Sequence, residues 1–203
     1  SMVFFQLSKQ MVESGTNADR EARNLKGMGF IAELEEKNAS DNYFSGLYRF
    51  YAANGTGNRD RLRQASDEMT AGYSYQQKAD WGNALSSFEK ARDIFWAIGN
   101  RWEADIAEYQ ACYTLTQLVK MGESSARLRA VAERNRSENN RWPVTLAEGW
   151  IGSNFTLTGE HSNALGFNRT SSGSIYSVPP LQSVPKISWN ETSKLNGVNC
   201  AVR

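Results

Sequence analysis

Histidine occurs once (His161) and cysteine twice (Cys112 and Cys200) in 203 residues. One imidazole and two distant thiols make a His/Cys metal cage improbable, so no metal site is expected. A disulfide scaffold would need more cysteines at closer spacing, and a reducing, cytoplasmic setting is expected instead. Net charge is nearly absent too, since 23 basic and 22 acidic side chains leave a formal +1. That removes any global attraction to nucleic acid or to an anionic membrane. No run approaches the roughly 18 apolar residues of a membrane-spanning helix. The opening SMVFFQLSKQMV is too short and too polar for a signal peptide. No Ser/His/Asp or paired-carboxylate arrangement can be assembled, and GTGNRDR at 55–61 lacks the strand and lysine of a phosphate loop. No enzyme and no cofactor are expected. Proline is limited to four residues, three of them within 179–185.

What the chain does have is a recurrence of side-chain size at an offset of 40 residues. Gly72, Cys112 and Gly152 are all small, whereas Tyr75, Leu115 and Phe155 are all large and apolar. Ala84, Ser124 and Ala164 form another small row, and Asn-Arg-Trp stands at both 100–102 and 140–142. Charges recur as well, in Arg61, Arg101 and Arg141 and in Glu68, Glu108 and Glu148. Upstream, residues 18–54 fit only with offsets of 41 and then 38, which implies about three extra residues in a turn near Asn38–Asn42.

Each unit reads as two helices. Residues 65–78 are rich in helix formers. Asp80 can cap the next helix, where Trp81, Ala84, Leu85, Phe88, Ala91 and Phe95 make an apolar stripe. Gly99 suits a left-handed helix end, Asn100 a cap, and Pro143 a first helical turn. Gly72 and Ala84 would let the two helices approach, with Tyr75 and Phe88 filling the space beside the crossing. A lone helical pair cannot bury both faces, so neighbouring pairs must stack. Met2 to Glu13, with Phe4, Phe5, Leu7 and Met11, predicts one more amphipathic helix.

Ala71-Gly72, Tyr75, Ala84, Phe88 and Ala91, together with QQKADWGNAL, resemble the tetratricopeptide repeat. The likeness covers 65–98 most fully, then 143–167, and 101–138 and 18–54 less closely. The chain departs from the pattern at Glu68, Glu108, Glu148 and Trp96 and in its period, which exceeds the usual length of about 34 residues. The resemblance implies an all-α superhelix of about four helix–turn–helix units over 1–168. It also implies a concave groove lined by Met69, Tyr73, Gln76 and Gln77, by Tyr109, Tyr113, Thr116 and Gln117, and by Gly149, Ser153, Thr156 and Leu157. The poorly aligned first unit would add Met28, Ala32, Glu35 and Glu36. Met69 and Tyr73 do not match the carboxylate clamp found in some members. The tyrosines have two readings, as interface anchors or as packing between helices. So do the Arg and Glu rows, as a ladder of ion pairs between units or as a ligand-binding charge row. His161 and Cys112 are expected to be structural.

From Arg169 onward helical periodicity fails. SIYSVPPLQSVPKISW mixes Pro and Ser with Ile175, Tyr176, Val178, Leu181, Val184, Ile187 and Trp189. Residues 169–203 are therefore expected to form a mostly non-helical tail that docks on the last helices, or in a groove of this or another copy. The expected function is the binding of a protein or peptide segment in the groove, with no nucleic-acid or membrane partner. Two alternatives are a sensor or regulatory region of a larger signalling protein, and a homo-oligomeric assembly module that uses its tail.

Overall fold

The computed structural model describes residues 2–13, 17–54 and 57–172. The described residues are all-α and form a superhelix without strands. The helices are α1 (Met2–Glu13), α2 (Ala18–Ala39), α3 (Tyr43–Asn54), α4 (Arg59–Gln77), α5 (Trp81–Ala97), α6 (Arg101–Gln117), α7 (Met121–Arg136), α8 (Arg141–Leu157) and α9 (His161–Ser172). The expected tail, 169–203, lies outside the described residues except where α9 continues to Ser172. No helix among the described residues is long and apolar enough to cross a membrane.

From α4 onward each helix packs on the next in chain order. The turns between them repeat more finely than the side chains do. Ala79, Gly99, Val119, Asn139 and Gly159 all have positive φ, between 56° and 80°, and stand twenty residues apart. Each is the left-handed residue of a Schellman turn. The N–H of the following residue reaches back five positions, as in Asp80 N to Tyr75 O at 3.0 Å and Asn140 N to Asn135 O at 2.9 Å. Asp80 and Asn100 then cap α5 and α6 by accepting from the N–H groups of Asn83 and Glu103.

The small rows do close the helices on one another. A Cβ on Gly72 would sit 2.6 Å from Phe88 Cε1. Phe88, Ala84 and Ala111 form one fully buried cluster, against which Tyr75 packs. Between units, Gln76 Nε2 donates to Thr114 Oγ1 at 3.1 Å, and forty residues later Thr116 Oγ1 bonds Asn154 Oδ1 at 2.9 Å. These side-chain rungs tie each first helix to the next.

Three pairs stack in this way, α4–α5, α6–α7 and α8–α9, and not the four expected. The helices of the supposed first unit go elsewhere. α1 packs on α2 and α4, while α3 packs on α2, α6 and α8. The reason is legible on α4. In α6 and α8, Ala104, Ala107, Ala111, Ala147 and Ile151 are buried under the preceding helix. The same register on α4 carries Gln64, Asp67 and Ala71, with Asp60 one turn earlier, and Asp60, Gln64 and Asp67 are exposed. A charged stripe is costly to cover with an apolar helix, so α4 presents the polar outer face of an array's first helix.

Candidate functional site

Helices α4, α6 and α8 present a shared face with two unlike halves. Toward their N-termini lies the row Leu62, Trp102 and Trp142, forty residues apart, and α1–α3 cover it. Trp142 meets the rings of Phe5, Tyr43 and Phe44 at 5.1–5.7 Å. Trp102 lies so close to α3 that a Cβ on Gly46 would be 2.4 Å from its Nε1. The repeated Asn-Arg-Trp of the sequence is thus a pair of docking posts.

Polar groups fix this docking. Asp41, buried in the α2–α3 loop, caps α8 from a hundred residues away. Its carboxylate accepts from the backbone N–H of Arg141 at 3.1 Å and of Trp142 at 2.7 Å, and from Tyr43 N at 2.9 Å. Around it, Asn42 N donates to Asn139 O, Asn139 Nδ2 to Ser40 O and Arg141 Nη1 to Ala39 O, all within 3.1 Å. In α6, Glu103 accepts from Tyr51 Oη at 2.7 Å, from Asn100 Nδ2 at 2.6 Å and from Ser8 Oγ at 3.2 Å. Burial pushes the carboxyls of Asp41 and Glu103 above their usual range, and these neutral donors offset it only in part.

Toward the C-termini of the three helices the shared face is open and aromatic. Tyr73 is 40% exposed and meets Phe88 edge-on at 5.3 Å. Tyr113 lies half-buried between Trp81 at 6.3 Å and Trp150 at 5.2 Å. Tyr109 is half-buried against the α7–α8 core, and burial raises its phenol above the usual range. Gln77, Gln117, Thr156 and Leu157 are exposed, and Gly149 and Ser153 are half-buried. Ring contacts join Tyr113 to Trp81 and Trp150, which the sequence reading missed, and the other expected groove residues stand in the matching register of α4, α6 and α8.

Five positions need correction. Thr116 is 4% exposed, fixed by Asn154, Ser124 and Trp150 Nε1, so it offers no surface to a partner. Gln76 forms the other rung, and Met69 packs inward against two cores. In the supposed first unit Met28 and Ala32 are buried in the docking core, not in a groove. The charge rows also pair differently. Glu108 binds Arg127 and Arg92, from the helices on either side, and Glu148 binds Arg136. Burial opposes ionisation of Glu108, yet the two guanidiniums hold its carboxyl below the usual range. Arg101 turns to Glu138, and Arg141 to the α2–α3 loop. His161 opens α9 and is exposed. Cys112 is buried, and its thiol is pushed up to about 12, which makes it inert.

No family model, no curated protein and no solved structure matches the chain.

Proposed function

We propose that the chain is a peptide-binding module of tetratricopeptide kind, which holds an extended segment of a protein partner on the open half of the α4–α6–α8 face. The observation that carries this is the row Tyr73, Tyr109 and Tyr113, continued by Trp150, across three successive first helices. Tyr and Trp offer large apolar area at low entropic cost and keep a hydrogen-bonding tip. Exposed Gln77, Gln117 and Thr156 beside them can serve a peptide backbone, which needs a donor or an acceptor at every residue. Binding rather than catalysis also suits the buried acids, whose oxygens are engaged by caps and guanidiniums. The cytoplasmic setting belongs to the same proposal and rests on the low cysteine content.

Peptides selected on the chain from a displayed random library provide the test. Tyr73→Ala combined with Tyr113→Ala should weaken their binding by more than about 1 kcal/mol, with the helical melt still cooperative. Equal binding to the double variant would move the site off this face.

A further inference from the structure

The C-terminal halves of α4, α6 and α8, which carry the open half of the shared face, are free of charge. Residues 69–77, 109–119 and 149–159 contain no Asp, Glu, Lys, Arg or His, although charged residues make up 22% of the chain. Glu108 and Glu148, which precede two of these runs, are held by Arg92, Arg127 and Arg136. Glu68, which precedes the other, lines the outer side of α4 with Gln64 and Asp67. Lys78, Lys120 and Glu160 follow the runs and lie outside the helices.

The polar groups left on this half include donors without a partner. In the docked core, Tyr43 Oη donates to Trp102 O and Tyr51 Oη to Glu103, each at 2.7 Å. The phenols of Tyr73, Tyr109 and Tyr113 make no hydrogen bond to a described residue. Burial raises the Tyr109 phenol, and the nearby groups of Tyr73, Cys112 and Tyr113 add to this, so both other phenols stand near it. Ser153 and Thr156, by contrast, spend their protons on Gly149 O and Gly152 O of their own helix, both at 3.0 Å. The rings of Phe88, Trp81 and Trp150 add apolar walls, 5.2–6.3 Å from the rings of Tyr73 and Tyr113.

Such a face sorts ligands by charge. A charged side chain seated on it would lose hydration with no counter-charge to meet it. Unpaired phenols that converge call for acceptors. An extended segment supplies a free carbonyl at every residue, whereas a helix spends its carbonyls internally. We infer that the open half selects an extended segment of a partner protein that is uncharged where it crosses Tyr73, Tyr109 and Tyr113. The three phenols take its main-chain carbonyls, and the aromatic rings take its apolar side chains. This inference rests on the peptide-binding reading above and adds the chemical class of the ligand.

The test selects a displayed library of random peptides on the full chain in low salt, the condition that most favours binding through charge. Asp, Glu, Lys and Arg should be depleted at least about fivefold from the common core of the selected peptides, relative to the unselected library. Their affinity as synthetic peptides should change less than about twofold between about 50 and about 500 mM salt. At least one of Tyr73→Phe, Tyr109→Phe and Tyr113→Phe, which remove an oxygen and keep the ring, should weaken them about threefold or more. Gln117→Lys, at an exposed position, should return acidic residues to the selected pool. Should that variant lose the helical signal, Gln77→Lys, also exposed, replaces it.

Selected peptides that keep charges in their core, or that exceed this salt response, overturn the inference. If such peptides still lose binding on Tyr73→Ala plus Tyr113→Ala, the groove reading stands without it. Equal binding by all three Tyr→Phe variants, or peptides that bind as helices, removes the carbonyl contacts and overturns it as well. Peptides indifferent to the double alanine variant, a pool unchanged by the lysine, or no selected peptide at all overturns the inference and the groove reading together.

Discussion

Gly72 and Gly46 do the same job in two regions that are built differently. Each gives up a Cβ so that a ring, Phe88 or Trp102, can lie against the backbone. Around Gly72 every feature has a counterpart forty residues on: the small rows, the Gln76–Thr114 and Thr116–Asn154 rungs, and the left-handed turn residue. Around Gly46 almost nothing recurs. The N-terminal helices are held by one-off contacts, among them Tyr43 Oη to Trp102 O at 2.7 Å, the Asp41 cap and the Glu103 cluster. The stacked region spreads its stability over equivalent interfaces, whereas the docked region concentrates it in a few polar anchors.

Asp41→Ala should break that contrast most sharply. It strands three backbone N–H groups, and we expect the docked helices to lose about 3 kcal/mol of local stability. Hydrogen exchange should quicken across α1–α3 and at the start of α8, with the α4–α5 amides unchanged. Uniform acceleration would show that the two regions unfold as one.

Gly72→Ala and Gly46→Ala compare the same added methyl group in both settings. Each should cost about 2 kcal/mol through forced displacement of a ring. For Gly72→Ala the loss should appear in the global melt, and for Gly46→Ala in the exchange of α1–α3. Matching patterns for the two variants would erase the distinction.

Val119→Gly probes the repeated turn. Val119 sits at φ 61° and is 76% exposed, so its β-branched side chain strains the backbone while burying little. Glycine should raise stability by about 1 kcal/mol, read as a higher Tm. No gain would mean that the wider freedom of glycine in the unfolded chain cancels the relief.

The smallest effect concerns Glu103. Its folded carboxyl titrates above the ordinary value because of burial, so the folded state binds a proton more readily than the unfolded one. Its contribution is fully present below the unfolded value near 4.5 and is lost as pH rises through the folded one. Glu103→Gln keeps an acceptor oxygen for Tyr51 and Asn100, and should flatten the fall of stability as pH rises above 4.5 by less than about 1 kcal/mol. An unchanged slope would assign the pH dependence to Asp41, whose carboxyl burial also raises.

The same division decides what could be read from sequence. Period-forty rows gave the stacked pairs and the close approach at Gly72, because those positions obey one rule repeated, and local cap chemistry gave Asp80 and Asn100. The twenty-residue beat of the turns stayed hidden, since only Gly99 and Gly159 of the five left-handed residues are glycine. Docking of α1–α3 was illegible because Asp41 and Arg141 are related by no period, and nothing local marks Asp41 as the cap of a distant helix. Two signals were available all the same: a repeated Trp without a helical-pair role, and a charged stripe on α4 where α6 has alanines. Thr116 was misplaced because the family register fixes a helix face and not the depth at which an added Trp150 buries it.

A superhelix whose units touch only their neighbours behaves as a soft spring. Here the bonds between residues 39–42 and 138–142 wire one coil to another two pairs away. Tension applied at the α2–α3 loop reaches α8 directly, in parallel with the contacts of α1 on α4 and of α3 on α6. Flexing that splays α4 from α8 must strain either this wire or the seat of α1 on α4, which gives the molecule the stiffness of a braced frame.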